Sequence, residues 1–292
     1  MHHRPFKQVD VFTAHAYRGN PLAVVLDGTG LSTEAMQQFT DWTNLSEATF
    51  LLPPTEAGRA DGADYRVRIF CPGRELPFAG HPTLGSCHAW LEAGGQPRTA
   101  GQVVQECGVG LVRLRREGAR LAFAAPPLRQ SGPLPEADVQ LIARGLGVAR
   151  SDIVAHAWCD NGPNWRGVLL RSAEQVLALQ PDGAVLAGLE VGVVAPRGQA
   201  GMGRAQGDAQ GIAFEVRAFF PGHDGLIEDP VTGSLNAALA QWLIGAGLAP
   251  PRYIASQGTA LGRAGRVHVQ QDGADLWIGG DSVTCVAGQV LL

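Results

Sequence analysis

Three side chains in this sequence pair a reactive type with a setting that could use it. They are Glu47 in NLSEATF, His81 in AGHPT and Asp229 in EDPVTGS. Glu47 interrupts a run, Leu45-Ser46-Glu47-Ala48-Thr49-Phe50-Leu51-Leu52, that Pro53 and Pro54 stop. Asn44-x-x-Glu47 matches a capping box. The residues that follow, however, have strand composition. Alternation groups Glu47 with Leu45, Thr49 and Leu51, and puts Ser46, Ala48, Phe50 and Leu52 on the opposite face. An edge strand turning Glu47 to water is the other simple reading, but neither face is polar enough for it. We therefore expect a partly buried carboxylate at the mouth of a strand. Burial raises a carboxyl pKa from about 4.3 toward neutrality. A group so tuned can take up a proton and return it, which is general acid–base catalysis.

His81 and Asp229 sit in an internal repeat. RIFCPGRELPFAGHPTLGSCHAWL starts at Arg68 and RAFFPGHDGLIEDPVTGSLNAALAQWL at Arg217. Both open Arg-x-Phe-x-Pro-Gly and end in an apolar helical pattern. With one residue of slip, His81-Pro82 lies over Asp229-Pro230 and Gly85-Ser86 over Gly233-Ser234, an offset of about 148 residues in a chain of 292. So long a period is not that of a solenoid; it predicts two similar domains related by a pseudo-twofold axis. Proline suits the first turn of a helix and aspartate the cap before it, so helices are expected to start at Pro82 and at Pro230, the latter capped by Asp229. Taken singly, Asp229 reads as an N-cap and His81 as a hydrogen-bonded loop histidine. Taken as a pair, two helix N-termini facing one cleft would bind a small anion such as a carboxylate. Gly80, Gly85 and Gly233 would let it approach the backbone.

The elements that must carry these residues are legible in outline. Strand-like stretches are VDVF, PLAVVL, DYRVRIF, GLVRLR, RLAFA, AFEVRAFF, RVHVQ and DLWIG; helical patterns are STEAMQQFTDW, PTLGSCHAWLEA, EADVQLIARGL and PVTGSLNAALAQWLIGA. Turn signals at Glu117-Gly118 and Asp272-Gly273 favour antiparallel hairpins. A hydrophobic content of 45% is ample for a core. The net charge of −4, with scattered arginines, argues against nucleic-acid binding. No phosphate-binding glycine motif is present. The apolar stretch from Ala237 to Leu248 is interrupted by Gln241, Gly245 and Gly247, so no membrane span is expected, and MHHRPFKQVD lacks the apolar core of a signal peptide. Cys71, Cys87, Cys107, Cys159 and Cys285 show neither CxxC nor zinc-type spacing; free thiols in a cytoplasmic protein are expected, and no metal site.

VDVFTAHAYRGNPLAVVL, NLSEATF, ELPFAGHPTLG, FFPGHDGLIEDPVTGS and QGTALGRAGRVHV, in that order over nearly the whole chain, resemble the PhzF (phenazine biosynthesis) family. The resemblance implies the diaminopimelate epimerase fold: two pseudo-symmetric α+β domains, each a curved, mostly antiparallel sheet around a central helix, with the active site in the cleft between them. The corresponding boundaries are residues 1–118 plus a C-terminal strand at about 280–292, and 119–279. It implies Glu47 as the catalytic acid–base, with His81 and Asp229 at the other catalytic positions and Gly80, Gly233 and Ser234 binding substrate. It implies isomerisation of a small cyclic or amino/hydroxy carboxylate, as of trans-2,3-dihydro-3-hydroxyanthranilate in the phenazine enzyme, without a metal or organic cofactor, by a homodimer. Two-thiol racemases of this fold carry Cys-Gly motifs in each half; here Ala79-Gly80-His81 and Pro230-Val231-Thr232-Gly233 stand instead. Leu235-Asn236 departs from the family pattern and bears on the choice of substrate. A binding protein without catalysis, or a lyase or hydrolase on the same scaffold, is the alternative function.

Overall fold

The computed structural model describes residues 2–198, 207–222 and 225–292. The chain forms two compact units: one runs to Ala124 and takes in Gly279–Leu292, the other is Ala125–Ile278. No helix among the described residues is long and apolar enough to cross a membrane.

The first unit contains β1 (His3–Val11), β2 (Asn20–Val25), α1 (Thr33–Thr43), β3 (Ala48–Leu52), α2 (Glu56–Ala60), β4 (Tyr65–Cys71), β5 (Arg74–Leu76), α3 (Gly80–Glu92), β6 (Gln102–Cys107), β7 (Gly110–Glu117) and β8 (Arg120–Ala124). β1 and β2 pair antiparallel, β2 and β3 parallel, β3 and β4 antiparallel, β4 and β6 parallel, and β6, β7 and β8 antiparallel. β8 carries the unit past the Glu117-Gly118 turn, where Gly118 takes φ +66°. The second unit contains α4 (Glu136–Leu146), β9 (Ala155–Cys159), β10 (Trp165–Leu169), α5 (Ala173–Ala178), β11 (Val191–Pro196), β12 (Ile212–Gly222), β13 (Gly225–Asp229), α6 (Gly233–Gly245), β14 (Arg252–Gln257) and β15 (Gly265–Asp272). β16 (Asp275–Gly280) leads back to the first unit, where β17 (Ser282–Leu291) pairs antiparallel with β1. The pairing pattern recurs in the second unit: β9 with β10 antiparallel, β10 with β11 parallel, β11 with β12 antiparallel, β12 with β14 parallel, β14 with β15 antiparallel.

Each sheet curls around one helix. α3 contacts β17 and β1 as well as β8, strands from opposite ends of the sheet. α6 likewise contacts both β9 and β15. Both helices are therefore buried on nearly every side, which their sequences permit because apolar and small residues run all round them. The architecture is α+β, with two similar units.

The repeat expected from sequence is present, but its register differs. In the first unit Phe70 pairs with Glu75; in the second Phe219 pairs with Glu228. Each arginine two residues before that phenylalanine forks onto that glutamate: Arg68 onto Glu75 at 2.8 and 2.6 Å, Arg217 onto Glu228 at 2.9 and 2.7 Å. Each guanidinium also lies over its phenylalanine ring. The second hairpin continues two rungs further, through Pro221–Leu226 and Gly222–Gly225, before turning. His223 and Asp224 lie outside the described residues. From the glutamate on, the two copies match without a gap: Leu76 over Asp229, Pro77 over Pro230, Ala79 over Thr232, Gly80 over Gly233, His81 over Ser234. The helices begin at Gly80 and Gly233, not at Pro82 and Pro230, and Asp229 is not a cap. The extra rungs shift the second copy, so aligning the two His/Asp-Pro dipeptides follows helix-start preference rather than strand pairing.

Candidate active site

Glu47 immediately precedes β3, and the course of the chain around it explains its exposure. α1 ends at Asn44, which adopts the left-handed conformation (φ 54°) that closes a helix. Asn44 is therefore a C-cap, and the capping-box reading falls. In β3, Ala48 and Phe50 pack toward Met36 and Phe39 of α1. Thr49, on the Glu47 side of the strand, faces α3, where its hydroxyl accepts from Ser86 Oγ at 2.9 Å. Glu47 thus points toward the start of α3, with a side chain 17% exposed.

There it meets His81, whose Nε2 stands 3.5 Å from Glu47 Oε2. The ring is 5% exposed. Burial drives the His81 pKa down to about 3, against the opposing pull of a hydrogen bond to the Pro21 backbone. Proline offers only a carbonyl, so the ring donates. Nε2 has no hydrogen bond, which leaves Nδ1 as the donor and a lone pair on Nε2 facing the carboxyl. The contact is therefore not an ion pair of the usual kind. It can shorten into a hydrogen bond when the carboxyl carries the proton. The Pro21 carbonyl is itself held in place: Asp10 Oδ2 accepts from the N–H groups of Arg18 and Gly19 at 2.7 and 2.9 Å, just before Asn20 and Pro21. Gly19 is obligatory here, since a Cβ would lie 2.1 Å from the Val11 carbonyl. Sequence reasoning did not single out Asp10 or Pro21, although both lie in the VDVFTAHAYRGNP stretch.

In the second unit Asp229 ends β13. Its Oδ2 accepts from the Thr232 hydroxyl at 2.5 Å. Ser234 Oγ accepts from the Trp165 indole at 3.1 Å, and the Ser234 carbonyl from Asn161 at 2.8 Å. Asn236 is buried and bonds Thr232 and Gln257. In the sequence Gln257 stands out only as part of QGTALGRAGRVHV and Thr232 only as part of EDPVTGS, neither with a role of its own.

The two central helices also begin differently from the rest. α1, α2, α4 and α5 each carry an acid in the first turn, and α1, α2 and α5 have a hydroxyl cap. α3 and α6 have neither. The N–H groups of Gly80 and His81, and of Gly233, Ser234 and Leu235, have no acceptor within their helices. Such ends suit a substrate carboxylate. Four of the cysteines are held in the thiol form by burial. Burial pushes the thiols of Cys87 and Cys159 up to about 12, and raises those of Cys71 and Cys107. All five are free.

Comparison with known proteins agrees with this architecture. The family described as phenazine biosynthesis-like protein (PhzC-PhzF) matches residues 9–288. A Schizosaccharomyces pombe protein named Antisense-enhancing sequence 1 is 36% identical over 99% of this chain and 99% of its own. The trans-2,3-dihydro-3-hydroxyanthranilate isomerase of Pseudomonas aeruginosa is 33% identical over 91% of this chain and 90% of its own. Among solved structures, the PhzF-family phenazine biosynthesis protein of Bacillus anthracis superposes with a TM-score of 0.81 at 21% identity, covering 100% of both chains. These likenesses define an isomerase of α+β fold. The chain belongs to the PhzF, or phenazine biosynthesis-like, family.

Proposed function

We propose that this isomerase moves a proton between two carbons of a small cyclic amino or hydroxy carboxylate, with Glu47 as base and then as acid. The observation that carries this reading is the 3.5 Å contact between Glu47 Oε2 and the neutral, buried His81. Glu47 as carboxylate takes the proton from the acidic C–H and becomes the neutral acid. Its O–H is then accepted by His81 Nε2 while charge is delocalised over the substrate. Return of the proton to a second carbon completes the isomerisation with no atom gained or lost. The N–H groups of Gly80, Gly233 and Ser234 hold the carboxylate and the developing oxyanion. Asp229 orients the substrate's amine or hydroxyl. Acid–base catalysis supplies about 10²–10⁴-fold, and positioning and anion stabilisation supply the remainder.

The substrate named for the 33% identical relative sets the test. Proton NMR in D₂O follows trans-2,3-dihydro-3-hydroxyanthranilate with the unaltered protein and with Glu47→Gln. Conversion with deuterium uptake at carbon, lost in the variant, is the expected result. Turnover undiminished in Glu47→Gln would reject Glu47 as the base. No conversion by the unaltered protein would reject this substrate.

A further inference from the structure

Asp229 is held by a chain of hydrogen bonds whose direction can be worked out. Gln257, the last residue of β14, lies between two backbone groups of fixed polarity. Its Oε1 accepts from the Thr232 N–H at 3.0 Å, and its Nε2 donates to the Asp229 carbonyl at 3.1 Å. A backbone N–H can only donate and a carbonyl only accept, so the amide cannot be turned round. The second Nε2 hydrogen goes to Thr232 Oγ1 at 2.9 Å. A hydroxyl has one proton to give. With Gln257 donating into it, the Thr232 hydroxyl must send that proton to Asp229 Oδ2. Asn236, one turn into α6, fixes the far end: its Nδ2 donates to the Thr232 carbonyl at 2.9 Å and to Gln257 Oε1 at 2.8 Å. Gln257, Asn236 and Thr232 are all buried, where such bonds are costly to leave unmade.

The first unit makes the same turn into its helix without this chain. By strand register and helix start, Leu76 stands for Asp229, Ala79 for Thr232, Thr83 for Asn236 and Cys107 for Gln257. The next residue is glycine in both, and each crowds the same proline: a Cβ on Gly108 would lie 2.7 Å from Pro77 Cα, one on Gly258 2.6 Å from the Pro230 carbonyl. The backbone is thus buildable with leucine, alanine and cysteine. What the polar version adds is control of a carboxylate.

The geometry points to Gln257 as a positioning residue for the reaction: by fixing the Thr232 hydroxyl it presents Asp229 with Oδ2 as an acceptor, so that a proton carried by Asp229 sits on Oδ1. This rests on the reading of Asp229 as part of the site.

The test uses the full chain and two readouts. The first needs no turnover: the side-chain carboxyl ¹³C resonance of Asp229 is compared in the unaltered protein, Gln257→Leu, Thr232→Val, Thr232→Ser and the double variant Gln257→Leu/Thr232→Val. Equal displacement in both single variants and the double, with Thr232→Ser unmoved, is expected. Displacement in Gln257→Leu but not in Thr232→Val would overturn the proposal. The second readout is kcat on the dihydro-hydroxyanthranilate. Each single variant should lose about 10- to 100-fold, as for a hydrogen bond to a charged group, with KM within about threefold. Thr232→Ser should recover most of the loss, and the double variant should be no worse than either single. Multiplied losses in the double, or no recovery with serine, would mark a merely structural role. Should Gln257→Leu fail to fold, Thr232→Val, which keeps the volume, and Thr232→Ser carry both readouts. If the unaltered protein does not turn over this substrate, the reading of the substrate fails and the carboxyl resonances alone decide the role of Gln257.

Discussion

Glu47 and Glu190 stand on the same rung of the two units. Ala48 pairs with Phe70 in the first and Val191 with Phe219 in the second, so each glutamate is the residue just before its strand. Their surroundings differ. Glu47 faces a buried neutral imidazole, His81, at 3.5 Å. Glu190 faces the Arg166 guanidinium at 3.7 Å, which itself lies over the Trp158 ring. Where His81 enters the first helix, Ser234 enters the second, with its hydroxyl engaged by Trp165. One backbone, used twice, therefore holds one acid beside a group that can accept its proton and another beside a permanent cation. General acid–base work needs the former. The two units share the scaffold and differ in the side chains that face each glutamate.

The largest effect should come from Glu47. Glu47→Gln keeps the shape and removes the proposed base, and should lower kcat by about 10²–10⁴-fold with thermal stability close to that of the unaltered protein. A loss confined to KM would instead assign Glu47 to binding.

The forked arginines sharpen the comparison on the side of stability. Arg217 and Glu228 are 7% and 12% exposed, and Arg217 Nη1 also donates to the carbonyls of Val176 and Leu179 at the end of α5. Arg68 and Glu75 are 18% and 39% exposed. Arg217→Met leaves a buried carboxylate and two carbonyls without their donor, and should cost about 3 kcal/mol in urea unfolding. Arg68→Met should cost about 1 kcal/mol or less, since water replaces the lost partner of Glu75. Equal costs would show that the second fork is not the structural one.

These forks also show what the sequence discloses and what it hides. Arg-x-Phe-x-Pro-Gly is visible twice, and the alternating stretches around it do become strands. EADVQLIARGL is helix α4 from end to end. β10 and β11 were not foreseen, because short strands rich in Gly and Val with both faces largely covered lose the polar alternation that marks a strand. The repeat register was missed because the two added rungs of the second hairpin are a matter of pairing, and Pro82 and Pro230 offered a locally sensible but false alignment. Glu47 and His81 were legible as types in a setting, but not their mutual contact, which depends on Pro21 arriving from another strand. The role of Gln257 was hidden for the same reason: it lies in which backbone groups meet its two ends.

A smaller effect follows from the buried imidazole. The folded His81 resists protonation down to about pH 3, whereas an unfolded histidine titrates near 6.5. Between those values the unfolded chain binds the extra proton, so stability falls as pH falls through this window and is fully present above it. At pH 5 this one ring should account for about 2 kcal/mol of lost stability relative to pH 8. His88 and His156 are shifted the same way by burial and contribute to the same slope. The test is therefore a difference: His81→Asn should show a shallower decline in urea midpoint from pH 8 to 5 than the unaltered protein. Parallel declines would mean that His81 is charged in the folded state, and the proton-accepting role of its Nε2 would fall with that.

The smallest expected effect is the one that most directly tries the contrast between the two glutamates. Glu190→Gln removes the charge on the rung equivalent to Glu47 and keeps an amide oxygen in place of the carboxylate oxygen that faces Arg166. If the arginine has taken this acid out of chemistry, turnover should stay within about threefold of the unaltered protein, and stability should fall by about 1 kcal/mol or less, as for a partly solvated ion pair. A kcat loss approaching that of Glu47→Gln would mean that the second acid also handles protons and that the reaction uses the symmetry of the scaffold rather than departing from it. The companion variant Arg166→Met separates these cases. Under the present reading it lowers stability without creating a second base, so Glu47→Gln/Arg166→Met stays as inactive as Glu47→Gln alone. Activity recovered in that double variant would show that the arginine alone had kept Glu190 from doing what Glu47 does.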